Sequence, residues 1–149
     1  MTLLAPGHRG FDDVALGDRV ETEALTVTPQ MIDAFADLTG DRFEIHMTDQ
    51  AAQRHGFAAR VAHGLLVLSL VDGLKNQTQA QFRAVASLGW EWRFRQPVLS
   101  GDTLRAALTV VEKRTTRRPD RGILRLQVQV TNQAGIAVQE GHNLLMVYR

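Results

Sequence analysis

The most apolar stretch of the chain lies between Val61 and Leu74, where hydrophobic residues cover nearly every side of a helix. A helix that is apolar all round has no face to present to water, so it has to be buried on all sides. The stretch opens near His63-Gly64, and Gly73 with the polar residues behind it marks its end. The pattern therefore predicts one long buried helix in the middle of the chain.

The second half of the chain changes from a helical to an alternating period. Trp90, Trp92 and Phe94 point to one side of an extended chain, and the charged residues between them point to the other. Further alternating runs lie at 104–110, 124–130 and 136–148, and Gly141 in the last run suggests a bulge. These runs predict four antiparallel strands in a meander, and only the buried helix can cover their apolar face. The predicted fold class is α+β, a single domain with an antiparallel sheet wrapped around a long central apolar helix.

The first part of the chain predicts a strand within 16–27 and then a helix. Thr28 can cap that helix, Pro29 fits its first position, and Gly40 supplies its stop. A short helix follows at 49–55, with Thr48 as its cap. Residues 1–10 contain Pro and Gly and show no period, so we expect them to form a flexible arm before a domain at 11–149.

Composition narrows the classes of function. A chain of 149 residues suffices for one domain with a sizeable core. A net charge of +1 gives no support to a nucleic-acid or membrane-surface protein. The absence of cysteine and of a signal-like amino terminus favours a cytoplasmic location, and the apolar run at 65–70 is too short to cross a bilayer. We also expect no metal, because His8, His55 and His142 lack partners at metal-ligand spacing.

Two polar residues between the predicted helices are candidates for proton chemistry. Asp41 and His46 stand five residues apart in one turn, where a carboxylate and an imidazole can face the same cavity and share a water molecule. Spacing alone describes a helix cap or a surface hydrogen bond more often than a catalytic pair, and Asp41 directly after Gly40 suits a cap. The pair remains a hypothesis on this evidence.

Gly64 is a candidate for binding a developing negative charge. If the buried helix begins here, its amide is one of the first-turn donors without a partner in the helix, and the positive end of the helix dipole adds to its field. The amide would then form an oxyanion hole. The alternative is that glycine only allows the helix to pack closely against the sheet.

These residues occur within motifs of a known family. The runs LTGDRFEIHMTD, HGFAARVAHGLLVLSLVDGL and WRFRQPVLSGDTL resemble the MaoC-like (R)-specific enoyl-CoA hydratases and dehydratases, which have the hot-dog fold. The resemblance extends roughly from Phe11 to the end of the chain. The hydratase motif D-x-N-P-x-H stands here as residues 41–46, and the A-H-G that opens the family's central helix stands as residues 62–64.

The resemblance implies roles for particular residues. Asp41 and His46 would be the catalytic pair, and Gly64 would form the oxyanion hole. Phe43, His63 and Ser69 are candidate substrate-binding residues, and Ser69 matches a common family residue of the central helix. His63 is interpreted as a structural residue that bonds to backbone at the edge of the site. The implied substrate is a trans-2-enoyl thioester of coenzyme A or acyl carrier protein, with no other cofactor, and the implied assembly is a homodimer or a higher homo-oligomer.

Two departures from the motif leave other functions open. Phe43 replaces the usual Asn and Glu44 the usual Pro, so the amide that could brace the turn is missing, and we expect a less rigid turn and an altered substrate pocket. A hot-dog acyl-CoA thioesterase and a catalytically weak acyl-thioester binding protein are the alternatives to a hydratase. The basic link at 113–121 could meet coenzyme A phosphates or could be a solvated turn.

Overall fold

The computed structural model describes residues 1–149 without a gap. Its strands are β1 (Thr2–Leu3), β2 (Gly7–Arg9), β3 (Asp18–Glu21), β4 (Leu25–Thr26), β5 (Ala80–Phe82), β6 (Ala84–Phe94), β7 (Thr103–Thr115), β8 (Arg121–Thr131) and β9 (Ala137–Tyr148). Its helices are α1 (Pro29–Thr39), α2 (Glu44–Met47), α3 (Asp49–Arg54) and α4 (Gly64–Lys75), with one turn of 3-10 helix at Phe11–Asp13. A seven-stranded sheet runs in the order β1-β3-β7-β8-β9-β6, and β4 pairs with a second part of β7.

Helix α4 lies against the concave face of this sheet. Its residues Leu66, Val67 and Val71 are buried in one core cluster with apolar side chains of β7, β8 and β9. Burial of this stripe stabilises the fold, because each fully buried aliphatic side chain contributes about 1.5–3 kcal/mol. The predicted α+β fold, a largely antiparallel sheet wrapped around a central helix, is confirmed.

The opposite side of α4 is not covered. Leu65 is 60% exposed, and Ser69 is exposed one turn further on. The expectation of burial on all sides is therefore wrong within a single chain, because one curved sheet covers only one side of a helix. The helix also begins at Gly64, since Val61 instead forms a bridge with Leu99, and it continues past Gly73 to Lys75.

The predicted meander is wrong at one step. Strands β7, β8 and β9 follow one another as antiparallel neighbours, but β6 pairs with β9 at the edge of the sheet and not with β7. The link between β6 and β7 is bound at its start to β9: the Arg95 and Gln96 amides donate to the Val138 carbonyl, and Val98 is 2% exposed. These bonds continue the pairing of β6 with β9 beyond Phe94, so the link starts out bound to β9.

Two local expectations also change. The first ten residues are not a loose arm, because β1 pairs in parallel with β3 and β2 pairs in parallel with β5. Gly141 marks no bulge, since the β6–β9 and β8–β9 ladders keep their register there. Its missing side chain serves packing, because a Cβ at Gly141 would overlap the Glu91 carbonyl oxygen and press on the Trp92 ring.

The predicted caps of α1 and α3 are confirmed. The Thr28 side chain accepts from the Met31 amide at 3.2 Å, and Gly40 ends α1 in the left-handed conformation with φ at 78°. Thr48 caps α3 in the same way by accepting from the Ala51 amide. The longest helix has 12 residues, and none combines the length and hydrophobicity needed to cross a membrane.

Candidate active site

The turn that follows α1 places Asp41 at the mouth of a cavity. One carboxylate oxygen of Asp41 accepts from the Phe43 amide at 3.2 Å, and the Asp41 amide donates to the Thr39 hydroxyl at 3.2 Å. A carboxylate that bonds the amide two residues on is a common brace of such turns. The expected helix cap is wrong for Asp41, because α1 ends at Gly40 and α2 has Phe43 as its N-cap; its carboxylate braces the turn instead, and its second oxygen accepts no hydrogen bond from the protein.

His46 lies in α2 with its ring held in one tautomer. Its side chain is buried, and Nδ1 lies 2.7 Å from the Val61 carbonyl oxygen. A carbonyl can only accept, so Nδ1 carries the hydrogen of the neutral ring and Nε2 keeps a free lone pair. Burial lowers the pKa of His46, while the Val61 carbonyl and the Asp41 carboxylate act in the opposite direction. The net effect favours the neutral imidazole, which is the form that accepts a proton.

His63 joins the Asp41 turn to the start of α4. Its Nε2 donates to the Asp41 carbonyl at 2.8 Å, and its ring stacks on His46 with centroids 4.0 Å apart. The residue is 2% exposed. These contacts confirm the interpretation of His63 as a residue that bonds to backbone. They also place a second imidazole ring against His46.

Asp41, His46 and His63 have the composition of a metal-ligand set. One donor atom from each lies within 4.8 Å of the others, and two imidazoles with one carboxylate can hold a divalent transition metal. The two rings, however, are stacked at an angle of 26°. Because a lone pair lies in the plane of its own ring, stacked rings do not direct both lone pairs at one ion. We assign no metal to this set, and the metal-free site stays a prediction.

Gly64 presents a free amide at the first position of α4. No hydrogen bond in the protein is donated by this amide, and the helix has no side-chain cap. The Phe94 ring fills the space that a Cβ on Gly64 would occupy. The close-packing role of Gly64 is therefore observed, and the oxyanion hole stays a prediction. The missing side chain allows close packing, and the amide stays available at the positive end of the helix dipole.

One cavity of about 530 Å³ brings these groups together. Asp41, His46, His63 and Gly64 supply its polar end. The remaining lining residues are Ile45, Phe57, Val61, Ala62, Leu65, Phe94, Arg95, Gln96, Pro97, Val98 and Gln139. The cavity thus combines a polar end with mostly apolar walls, as expected of a site for a small molecule with an apolar tail.

Two predicted site residues lie outside this cavity. Ser69 is on the exposed side of α4, and its hydroxyl donates to the Leu65 carbonyl at 2.7 Å. Phe43 is 55% exposed, with its ring centroid 6.0 Å from that of His46. Within one chain, neither residue contacts the space that a substrate would fill.

The turn at Phe43-Glu44 has a brace of its own. Glu44 accepts from His55 Nε2 at 2.5 Å and pairs with Arg54 at 3.4 Å, which ties α2 to α3. The His55 hydrogen bond lowers the pKa of Glu44, so its carboxylate is charged at neutral pH. The loss of the family's Asn-Pro is thus accompanied by a different set of contacts, and the expected lower rigidity of the turn stays a prediction.

Sequence reasoning missed Phe57, Phe94 and Gln139 as parts of the site. Phe94 had been assigned only to the alternating pattern of β6. Gln139 had a detectable signal, because it occupies an inward position of an alternating strand, where an apolar residue is expected. A polar residue at such a position needs a partner in the core.

Comparison with known proteins agrees with this geometry. A family model described as a MaoC like domain matches residues 13–132. Protein MaoC of Klebsiella aerogenes is 36% identical over 72% of this chain and 32% of that protein, so the chain spans about a third of its length. The (R)-specific enoyl-CoA hydratase of Rhodospirillum rubrum is 28% identical over 92% of this chain and 90% of the relative.

Solved structures extend the comparison to the fold. A monoamine oxidase regulatory protein from Archaeoglobus fulgius superposes with a TM-score of 0.88 and 29% identity over 98% of this chain and 99% of that chain. A Mycobacterium tuberculosis protein with a double hotdog fold superposes with a TM-score of 0.80 and 22% identity over 95% of this chain and 44% of that one. The architecture is the hot-dog fold. The family model covers most of the length of this chain, so the chain belongs to the MaoC-like hydratase and dehydratase family.

Proposed function

We propose that this protein is a hydro-lyase that adds water to trans-2-enoyl thioesters to give (R)-3-hydroxyacyl thioesters, or catalyses the reverse dehydration. One observation carries the proposal. The Asp41 carboxylate, the neutral ring of His46 and the unpaired Gly64 amide line a single cavity. A base, a second polar group and an oxyanion donor are the parts that conjugate addition of water to a thioester requires.

The steps of the reaction follow from these positions. The thioester carbonyl accepts from the Gly64 amide, which stabilises the negative charge that develops on oxygen as water adds to C3. His46 Nε2 takes a proton from that water, and Asp41 orients the water through its free carboxylate oxygen. A proton from the same pair is delivered to C2, so the addition is complete without a net change in the protein. No cofactor is needed, since the thioester itself stabilises the intermediate charge.

The substrate carrier is coenzyme A or acyl carrier protein. Similarity to the (R)-specific enoyl-CoA hydratase of Rhodospirillum rubrum extends along almost the whole chain. This similarity supports a coenzyme A ester as the substrate. The mostly apolar walls of the cavity suit the acyl chain.

The active form proposed here is a homodimer. Strand β6 is the edge of the sheet, and Leu65, Leu88 and Phe94 are exposed apolar residues on β6 and α4. Two of these residues also line the cavity. A second copy packed on this side would bury them and close the open wall of the site.

The proposal is tested with crotonyl-CoA by following the loss of enoyl absorbance and the release of free thiol separately. We expect loss of absorbance without thiol release, and Asp41→Asn and His46→Gln should each lower kcat by about a hundredfold or more. His8→Gln changes an exposed histidine in β2 and is the matched control. Chiral chromatography of the product reports its configuration.

The same assay separates the alternatives. Thiol release from saturated acyl-CoA would identify a thioesterase, and binding without turnover of either ester would identify an acyl-thioester binding protein. Retention of hydration by both the Asp41 and the His46 variants would refute the assigned mechanism.

A further inference from the structure

A buried glutamine on β9 connects the sheet to the first turn of α4. Gln139 is 2% exposed. Its Nε2 donates to the Gly64 carbonyl at 3.2 Å, and its Oε1 accepts from Trp92 Nε1 at 2.7 Å. Leaving such an amide without partners in the core would cost free energy, so these two bonds hold the side chain in place.

The indole of Trp92 decides which way the amide faces. An indole nitrogen can only donate, so its partner on Gln139 has to be the oxygen. The amide nitrogen then has to point at Gly64, and no other orientation of the group satisfies both contacts. Gly141, opposite Trp92 on β9, leaves the space in which the ring lies, since a Cβ there would be 2.8 Å from the ring.

The far end of this chain of contacts is the residue with the unpaired amide. Gly64 has no side chain to restrict its backbone, and its N–H lacks any partner in the protein. An oxyanion donor is effective only when it is aligned in advance with the oxygen that becomes charged. Gln139 restricts the peptide that follows Gly64, and the His63 carbonyl accepts from the Val67 amide one turn on, so the direction of the Gly64 amide is set from two sides.

We propose that Gln139, oriented by Trp92, is a positioning residue that aligns the Gly64 amide with the thioester carbonyl. The inference rests on the proposed hydratase function, because it assigns a purpose to alignment at Gly64. It predicts that the hydrogen bond to the substrate carbonyl weakens when the Trp92–Gln139–Gly64 chain is broken, while proton transfer by His46 is unaffected.

The first readout is the carbonyl stretch of ¹³C=O-labelled butyryl-CoA bound to the protein, measured by difference infrared spectroscopy. This saturated ester has no double bond to hydrate, so its carbonyl reports on the amide alone. We expect binding to the wild type to move the stretch to lower wavenumber, and Gln139→Met to remove most of that shift. Gln127→Met, an exposed glutamine on β8, is the matched control and should leave the shift unchanged.

The second readout is hydration of crotonyl-CoA. Loss of one aligning hydrogen bond should lower kcat about threefold to tenfold in Gln139→Met, with little change in KM or in the acid limb of the pH profile. Trp92→Phe keeps an aromatic ring but removes the indole donor, and should give a smaller loss of the same kind. Because both residues act on one chain, the double variant should be no slower than Gln139→Met alone.

The outcomes separate this inference from the proposed function. If the wild-type protein shifts the carbonyl stretch of butyryl-CoA but does not hydrate crotonyl-CoA, the hydratase function is refuted. The positioning role is then decided by the infrared comparison of the wild type with Gln139→Met. A Gln139→Met protein with the wild-type carbonyl shift, or a wild type with no shift, overturns the positioning role. If Gln139→Met does not fold, the infrared spectrum of butyryl-CoA bound to Trp92→Phe decides whether the positioning role holds.

Discussion

The chemistry at the residue scale depends on which atom of each histidine is already bonded. His46 Nδ1 donates to Val61, and His63 Nε2 donates to Asp41. For His46, whose pKa is lowered chiefly by burial, this leaves the neutral ring with Nε2 unprotonated and able to accept a proton. The His63 ring, stacked with its centroid 4.0 Å from that of His46, also lowers the pKa of His46.

The first prediction concerns the protonation of His46. Its pKa lies below the ordinary value of 6.5, chiefly because the ring is buried. The acid limb of kcat/KM for hydration should therefore fall below pH 6.5, and NMR titration of the ring should give the same midpoint. Asp41→Asn removes a carboxylate that favours the charged ring, so it should lower the midpoint further. A midpoint at or above 6.5 would contradict the assignment.

The same pKa shift has a consequence for stability. The unfolded chain takes up a proton on His46 at a higher pH than the folded protein does. The contribution of this group to the free energy of unfolding is therefore present above pH 6.5. It is lost as the pH falls from 6.5 through the folded-state pKa.

At the scale of elements, the sequence was informative where local rules decide the outcome. The caps of α1 and α3 and the alternation of the strands depend on neighbouring residues, and the structure agrees with each of them. The end of α4 was misjudged because Lys75 looks like a solvated stop, yet its ammonium is buried against Asn143, 68 residues away along the chain. The partnership of β6 with β9 also depends on distant contacts, and a periodic pattern contains no information about them.

A second prediction follows from Lys75. Its Nζ lies 3.3 Å from Asn143 Oδ1 and 2.9 Å from Asp72, and the Asn143 amide also donates to the Ser87 hydroxyl and the Gly89 carbonyl. Asn143→Leu should lower the free energy of unfolding by about 1–3 kcal/mol or more, because it leaves buried polar groups without partners. Urea denaturation measures this loss of unfolding free energy, provided that the m-value is the same for the variant and the wild type.

Two further variants control that measurement. Gln129→Leu alters an exposed position of β8 and should stay within about 0.5 kcal/mol of the wild type. Lys75→Met in the Asn143→Leu background replaces both partners by apolar groups and should recover part of the loss. Asn143→Leu with unchanged stability would show that the network contributes nothing.

At the scale of the whole molecule, the site combines residues that the sequence separates. Asp41, His46 and Gly64 could be predicted as a group, and the structure brings them to one cavity. Part of the walls could not be predicted, because it comes from the end of β6, the link after it and the start of β9, whose places follow from the crossover of the sheet. One side of the cavity remains open next to the exposed Leu65 and Phe94.

The last prediction is that a second copy of the chain closes this side. Strand β6 has an unpaired outer edge, and Leu88 on it is 47% exposed. We expect a dimer by size-exclusion chromatography with light scattering. Leu88→Lys should raise its dissociation constant about tenfold or more and lower hydration in proportion to the monomer formed, because each site loses part of its wall. Leu16→Lys, which alters another exposed leucine away from β6, should change neither. A wild-type monomer with full activity at assay concentration would show that one chain completes the site alone.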